Sequence, residues 1–150
     1  MRMSFLNITT TVCIGWMIGT EFAVSAFINP VINKLEEGTQ ARAIRLFAAR
    51  LGTAMPFWYV LGLALLVAEA VVLRHASSAL LLDVAIGIWV LTIVLTLILL
   101  VPINNRMAKM QTDVFPEHDR REHDRWDRMH RVRIAALGVA MVCFLAGIGM

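Results

Sequence analysis

Two sets of residues in this 150-residue chain have types and spacing suited to chemistry, and both lie in or beside apolar segments. Glu21, Ser25 and Asn29 recur every four residues, which aligns them along one side of a helix. Between Arg2 and Lys34, Glu21 is the one charged residue. A carboxyl in such a stretch must face a partner or a cavity, and there it can take up or release a proton. The second set is Asp119, His123, Trp126, His130, Arg133 and Leu137, spaced 4, 3, 4, 3, 4. At about 100° per residue, these six stay within an arc of roughly 80°. One stripe therefore offers an acid, two imidazoles, an indole face and a guanidinium, which are tools for proton transfer, stacking and anion stabilisation. The plainer alternatives are that Glu21 ties two helices together, that Trp126 anchors the helix at a membrane surface, and that His130 and Arg133 reach out to headgroups.

The elements that must position these residues follow from composition. The chain is 59% hydrophobic and 17% charged, with a mean hydropathy of +0.71. Lys and Arg are absent from 3–33, 51–73, 75–105 and 134–150. A membrane crossing needs about 20 predominantly apolar residues. Four spans are expected, at about 5–32, 55–73, 80–101 and 132–150. The expected fold is all-α, a four-helix transmembrane bundle forming a single membrane domain over 1–150. A secreted disulfide scaffold, a nucleic-acid-binding domain and a disordered chain are excluded, and a soluble enzyme is disfavoured. Ile44, Phe47 and Leu51 mark an amphipathic helix over 38–52, lying between spans 1 and 2. Residues 75–78 make a tight turn between spans 2 and 3. Span 3 is expected to stop at Pro102, residues 106–115 connect onward, and helix 4 begins near Pro116 with a polar extension. Gly15 and Gly19, opposite Glu21, are expected to pack against another helix. Counted from the end of span 1, Glu21 lies about 15 Å deep, near the bilayer midplane.

Charge placement predicts the orientation. Twelve of the 14 Lys and Arg residues fall within 34–50 and 106–133, leaving Arg2 and Arg74 for the other side. Cytoplasmic loops collect such residues, so both long basic loops are expected in the cytoplasm and both termini outside, in what would be a bacterial inner membrane. Span 1 is too long for a signal-peptide core and is expected to be retained, despite the small residues at 23–26. Glu69 and Asp83, near Arg74, are expected to be structural and screened by water. Cys13 and Cys143 are expected to be inert thiols. His123, Asp127 and His130 have spacing that could approach a metal, but they match no established ligand motif. No cofactor is recognisable from the sequence. Expected partners are membrane lipids and a small hydrophobic ligand, with a homo-oligomer allowed and nucleic acid excluded.

Three segments together resemble a known family. Gly19-Thr20-Glu21 with Asn29-Pro30, then Pro102-Ile103-Asn104-Asn105, then Arg125-Trp126-Asp127-Arg128-Met129-His130-Arg131-Val132-Arg133 resemble, in order and spacing, the anthrone oxygenase-like family of small four-span membrane proteins. The resemblance implies oxidation of an anthrone-type aromatic by molecular oxygen, without a recognised cofactor. On that basis Glu21 or His130 would act as base. Arg133 and Asn104 would stabilise the resulting anion, and Ser25, Asn29, Trp126 and His123 would contribute to binding. Two other classes fit four spans: a small proton-coupled exporter using Glu21, and a non-catalytic assembly or lipid-interacting protein. The charged third connection and the one-sided charge bias count against the exporter. Cysteine accessibility tests the orientation. A cysteine at Glu37 or Asp113 should resist impermeant reagents applied outside intact cells, and labelling there would reverse the topology.

Overall fold

The computed structural model describes residues 4–75, 79–110 and 116–149. Among these residues every regular element is helical. Four helices are long and apolar enough to cross a membrane: α1 (Phe5–Ile32), α2 (Glu37–Val72), α3 (Ala79–Ala108) and α4 (Glu117–Gly149). Each packs against its sequence neighbours, and α4 closes the ring against α1. Side chains such as Trp16, Phe27, Phe57 and Val142 are more than half exposed around the outside. So much outward apolar surface belongs in lipid, and the chain is an integral membrane protein. Most of the expected turn at 75–78 and part of the 106–115 connection lie outside the described residues.

The helices are longer than the expected spans because polar segments and prolines are absorbed into them. The amphipathic 38–52 stretch is present, but as the first turns of α2, continuous through Pro56 into the apolar part. Likewise α3 does not stop at Pro102; it runs on to Ala108. The reason lies one turn earlier. Both α1 and α3 widen into a π-helical turn, at Val24–Ile28 and at Thr96–Leu100. Pro30 and Pro102 follow these turns closely. Proline has no N–H and its ring crowds the carbonyl four residues back, so a widened turn lets the helix continue where a regular one would break.

Two apolar layers hold the ring together. Ile14, Met17, Leu66, Leu82, Trp89, Leu137 and Phe144 fill the half nearer the chain termini. Ile32, Ala41, Ile44, Ile103 and Met107 fill the half nearer the two charged connections. The expected packing role of Gly15 and Gly19 is corrected: both are exposed, with open space where a side chain would go. Close approach happens instead at Gly62, where a Cβ would sit 2.5 Å from the Trp89 ring, and at Gly52, 2.6 Å from the Asn104 amide. Each glycine lies beside a hydrogen bond from α3 to a backbone carbonyl of α2. Trp89 Nε1 donates to Tyr59 O at 3.0 Å, and Asn104 Nδ2 donates to Ala48 O at 3.0 Å. Two staples therefore join α2 to α3. Gly62→Val should collide with a fully buried indole and cost about 1–3 kcal/mol, the range for overpacking a filled site. Thermal unfolding in detergent should show a clear drop for Gly62→Val and almost none for Gly15→Val.

Candidate functional site

Between the two apolar layers lies a buried polar cluster. Glu21 from α1 and Arg133 from α4 meet directly, with Nη2 at 2.5 Å from Oε2. Their side chains are 3% and 10% exposed, so the pair is nearly out of reach of solvent. Tyr59 of α2 donates its hydroxyl to the other carboxylate oxygen, Oε1, at 3.1 Å. The guanidinium also lies 5.6 Å from the centre of the Tyr59 ring and donates to Thr96 Oγ1 at 3.4 Å. All four helices thus contribute to one knot of polar atoms. The Nε of Arg133 is buried and makes no hydrogen bond among the described residues, so its N–H remains available as a donor.

Hydrogen-bond logic assigns the state of His130. Its Nε2 lies 3.1 Å from the Glu21 carbonyl oxygen, which can only accept, so Nε2 carries the proton. Its Nδ1 is 2.8 Å from Arg133 Nη2, which can only donate. The geometry therefore describes a neutral imidazole whose Nδ1 lone pair is taken by Arg133. That same Nδ1 is 3.1 Å from Glu21 Oε2, so a proton arriving on either atom has a short path to the other.

These contacts set the depth of the two charges relative to each other. Glu21 is sixteen residues from Phe5, and Arg133 is sixteen residues from Gly149. Both lie about 24 Å from the terminal ends of their helices at 1.5 Å per residue. The two charges are therefore level with each other in the bundle. About two turns nearer the charged connections, Asn29 Nδ2 donates to Asp127 Oδ1 at 2.8 Å, fixing the same antiparallel register of α1 against α4. No bridging by Asn104 is needed.

The stripe on α4 faces inward. His123 and His130 are buried, and Trp126 stacks between them, with ring centres 6.1 and 4.6 Å apart and planes nearly parallel. Beside the cluster opens a cavity of about 230 Å³ with mostly apolar walls. Glu21, Tyr59, Asn104, Trp126, His130 and Arg133 all line it. Asn29, His123 and Trp126 line a smaller hollow of about 40 Å³ on the charged-loop side. Ser25, half-buried, lines neither.

The spaced set His123, Asp127 and His130 does not converge: the Asp127 carboxylate is engaged by Asn29 and Arg131. The group that does converge among the described residues is His118, Asp119 and Glu122, on the exposed start of α4. Glu122 there is gripped by both arms of Arg106, at 2.9 and 2.6 Å. Cys13 and Cys143 are half-buried and unbridged. Asp83 is exposed, but Glu69 is fully buried beside Thr10, so water does not screen it as expected.

Sequence reasoning missed Tyr59, the chain's single tyrosine. Its signal was a phenol inside an apolar span, where the hydroxyl has to find a partner. A model of the anthrone oxygenase family matches residues 44–143, two thirds of the chain. The chain belongs to the anthrone oxygenase family. The matched stretch includes Tyr59, Asn104, Trp126, His130 and Arg133; Glu21, Ser25 and Asn29 precede it. No curated protein and no solved structure matches the chain.

The ion pair makes a measurable demand on stability. Removing one partner of a buried pair leaves an uncompensated charge and costs about 3–5 kcal/mol, whereas neutralising both costs far less. Arg133→Met should lower the unfolding temperature sharply, and adding Glu21→Gln to it should restore part of the loss. A double variant no more stable than Arg133→Met would contradict the pairing.

Proposed function

We propose that this member of the anthrone oxygenase family oxidises a small, mainly apolar aromatic ketone with molecular oxygen in the 230 Å³ cavity. The observation that carries the reading is the neutral Glu21–Arg133 pair set in the wall of that apolar space. For an anthrone, the reaction begins with loss of a proton from the ring CH₂, leaving an aromatic enolate. The enolate carbon forms a bond to O₂, giving a hydroperoxide once protonated. Loss of water then yields the quinone, so one anthrone and one O₂ become one anthraquinone and one H₂O.

Charge conservation suits the pair to the first step. As Glu21 accepts the proton it becomes neutral, and the Arg133 charge it had balanced is left for the enolate oxygen. The net charge in the cavity stays the same throughout, which matters where solvation is poor. His130, 3.1 Å from the same carboxylate oxygen, is placed to pass the proton onward to the hydroperoxide or to leaving water. Tyr59 orients Glu21, and Asn104 has a second amide hydrogen for the enolate oxygen. Trp126, stacked between His123 and His130, offers an indole edge to the cavity, and Asn29 braces α1 against α4. In this reading the charged loops lie in the cytoplasm and the termini outside, supported by the distribution of Lys and Arg.

The test is oxygen consumption by purified protein in lipid nanodiscs supplied with anthrone. Uptake and anthraquinone absorbance should rise together in equal amounts. Glu21→Gln should reduce turnover by about 10²–10⁴-fold, the range for losing a positioned base. Glu69→Gln, on the other side of the apolar layer, should stay within a few-fold of the unaltered protein. No oxygen-dependent product from the unaltered protein would end the reading.

A further inference from the structure

The cavity beside Glu21 has a second boundary, and it is not made by the polar cluster. Gly52, Pro56 and Val60 of α2 and Leu97 of α3 line the same space as Glu21 and Tyr59, yet all four are exposed on the outside of the bundle. Val60 is 66% exposed and Leu97 59%, whereas Tyr59, next in sequence to Val60, is 5% exposed. The cavity therefore runs from the buried carboxylate to the outer surface between α2 and α3.

The gap has structural causes. The two staples, at Gly62 with Trp89 and at Gly52 with Asn104, hold α2 and α3 together above and below it. Between them α3 widens at Thr96–Leu100, and α2 carries Pro56. Both features keep the two backbones from settling into continuous ridge-and-groove contact.

What lies outside the gap is decided by depth. No charged residue occurs from 51 to 68 on α2 or from 84 to 105 on α3. Val60 is ten residues from Arg50, and Leu97 nine from Arg106. At 1.5 Å per residue the mouth is roughly 13–15 Å from the nearest charge toward the charged connections. It faces hydrocarbon. From the charged-loop side the way in is narrow: the hollow there is about 40 Å³, and Trp126, held between two imidazoles, lies in the wall it shares with the 230 Å³ cavity.

We propose that the cavity is loaded sideways from the bilayer, through a portal between α2 and α3 framed by Gly52, Pro56, Val60 and Leu97, and that its ligand is a lipid-dissolved, uncharged molecule. The proposal rests on reading this cavity as a small-molecule site and adds the route and the solubility class. A substrate entering this way is selected by partition into lipid before it meets the polar cluster. A product carrying more polar oxygen leaves by the same mouth or is held less firmly by the apolar walls.

A small aryl diazirine dissolved in phosphatidylcholine vesicles tests the portal without any catalysis. Photolysis generates a carbene within the bilayer, and mass spectrometry locates the adducts. Expected in the unaltered protein are adducts on Tyr59 as well as on the outward-facing Phe27 and Val142. In the Val60→Trp/Leu97→Trp variant, Tyr59 labelling should fall at least tenfold while Phe27 and Val142 labelling is retained, which also shows that the variant is inserted and folded. Phe27 and Val142 labelled with Tyr59 unlabelled in the unaltered protein overturns the proposal. So does equal Tyr59 labelling in the variant. Tyr59 labelling with no anthrone oxidation would retain the portal and remove the oxygenase reading; oxidation without Tyr59 labelling would do the reverse.

Discussion

A carboxylate and a guanidinium placed in a medium that solvates neither have to find each other, and the arrangement of this bundle follows from that demand. Glu21 and Arg133 are 112 residues apart in the chain and meet at one level of the membrane. Bringing them level sets the register of α1 against α4, which the Asn29–Asp127 bond repeats further along. The remaining polar capacity of the pair draws in Tyr59 from α2 and Thr96 from α3, so one electrostatic requirement recruits every helix. A buried pair is a poor source of net stability, since desolvation offsets most of the attraction. Its retention inside an otherwise apolar bundle accords with a chemical role.

The cavity exists because the helices are irregular where a simple bundle would be close-packed. Two π-helical turns and three prolines fall in the half of the bundle that holds the polar cluster, while the Trp89 layer on the other side is tightly filled. Gly52 and Gly62 permit close approach on either side of the opening, and an α3 side chain seals each approach with a hydrogen bond to an α2 carbonyl. Rigid contacts flanking a loosely packed middle give a space that is preformed and walled mainly by carbon. This is the usual setting for recognising a small molecule with few polar handles.

Within that setting the cluster is self-balancing. The carboxylate is held by a phenol and a guanidinium, and the imidazole is held neutral by a backbone carbonyl on one nitrogen and by Arg133 on the other. A proton taken from a carbon acid would exchange one ion pair, Arg133 with Glu21, for another, Arg133 with the new anion. Little solvent rearrangement is needed for that exchange, which is the advantage of a preorganised site. Membership of the anthrone oxygenase family agrees with chemistry of this kind.

The number of helices, their apolar character and the inward stripe of α4 were legible from composition and spacing, because lipid imposes length and periodicity on each segment separately. Glu21, His130 and Arg133 were legible as well, since ionisable residues stand out against apolar runs. Other features depended on contacts between segments. Tyr59 is chemically ordinary until α1 places a carboxylate beside it. Gly52 and Gly62 look no different in the sequence from Gly15 and Gly19, and only the positions of Asn104 and Trp89 decide which pair is close-packed. Helix ends at Pro102 were misjudged because a widened turn relieves a clash that local rules treat as terminal. Sequence alone determined which residues the membrane would force into partnership. The tertiary structure decided who the partners are, at what depth they meet, and that a cavity opens beside them, because depth and register arise only when four helices pack at once.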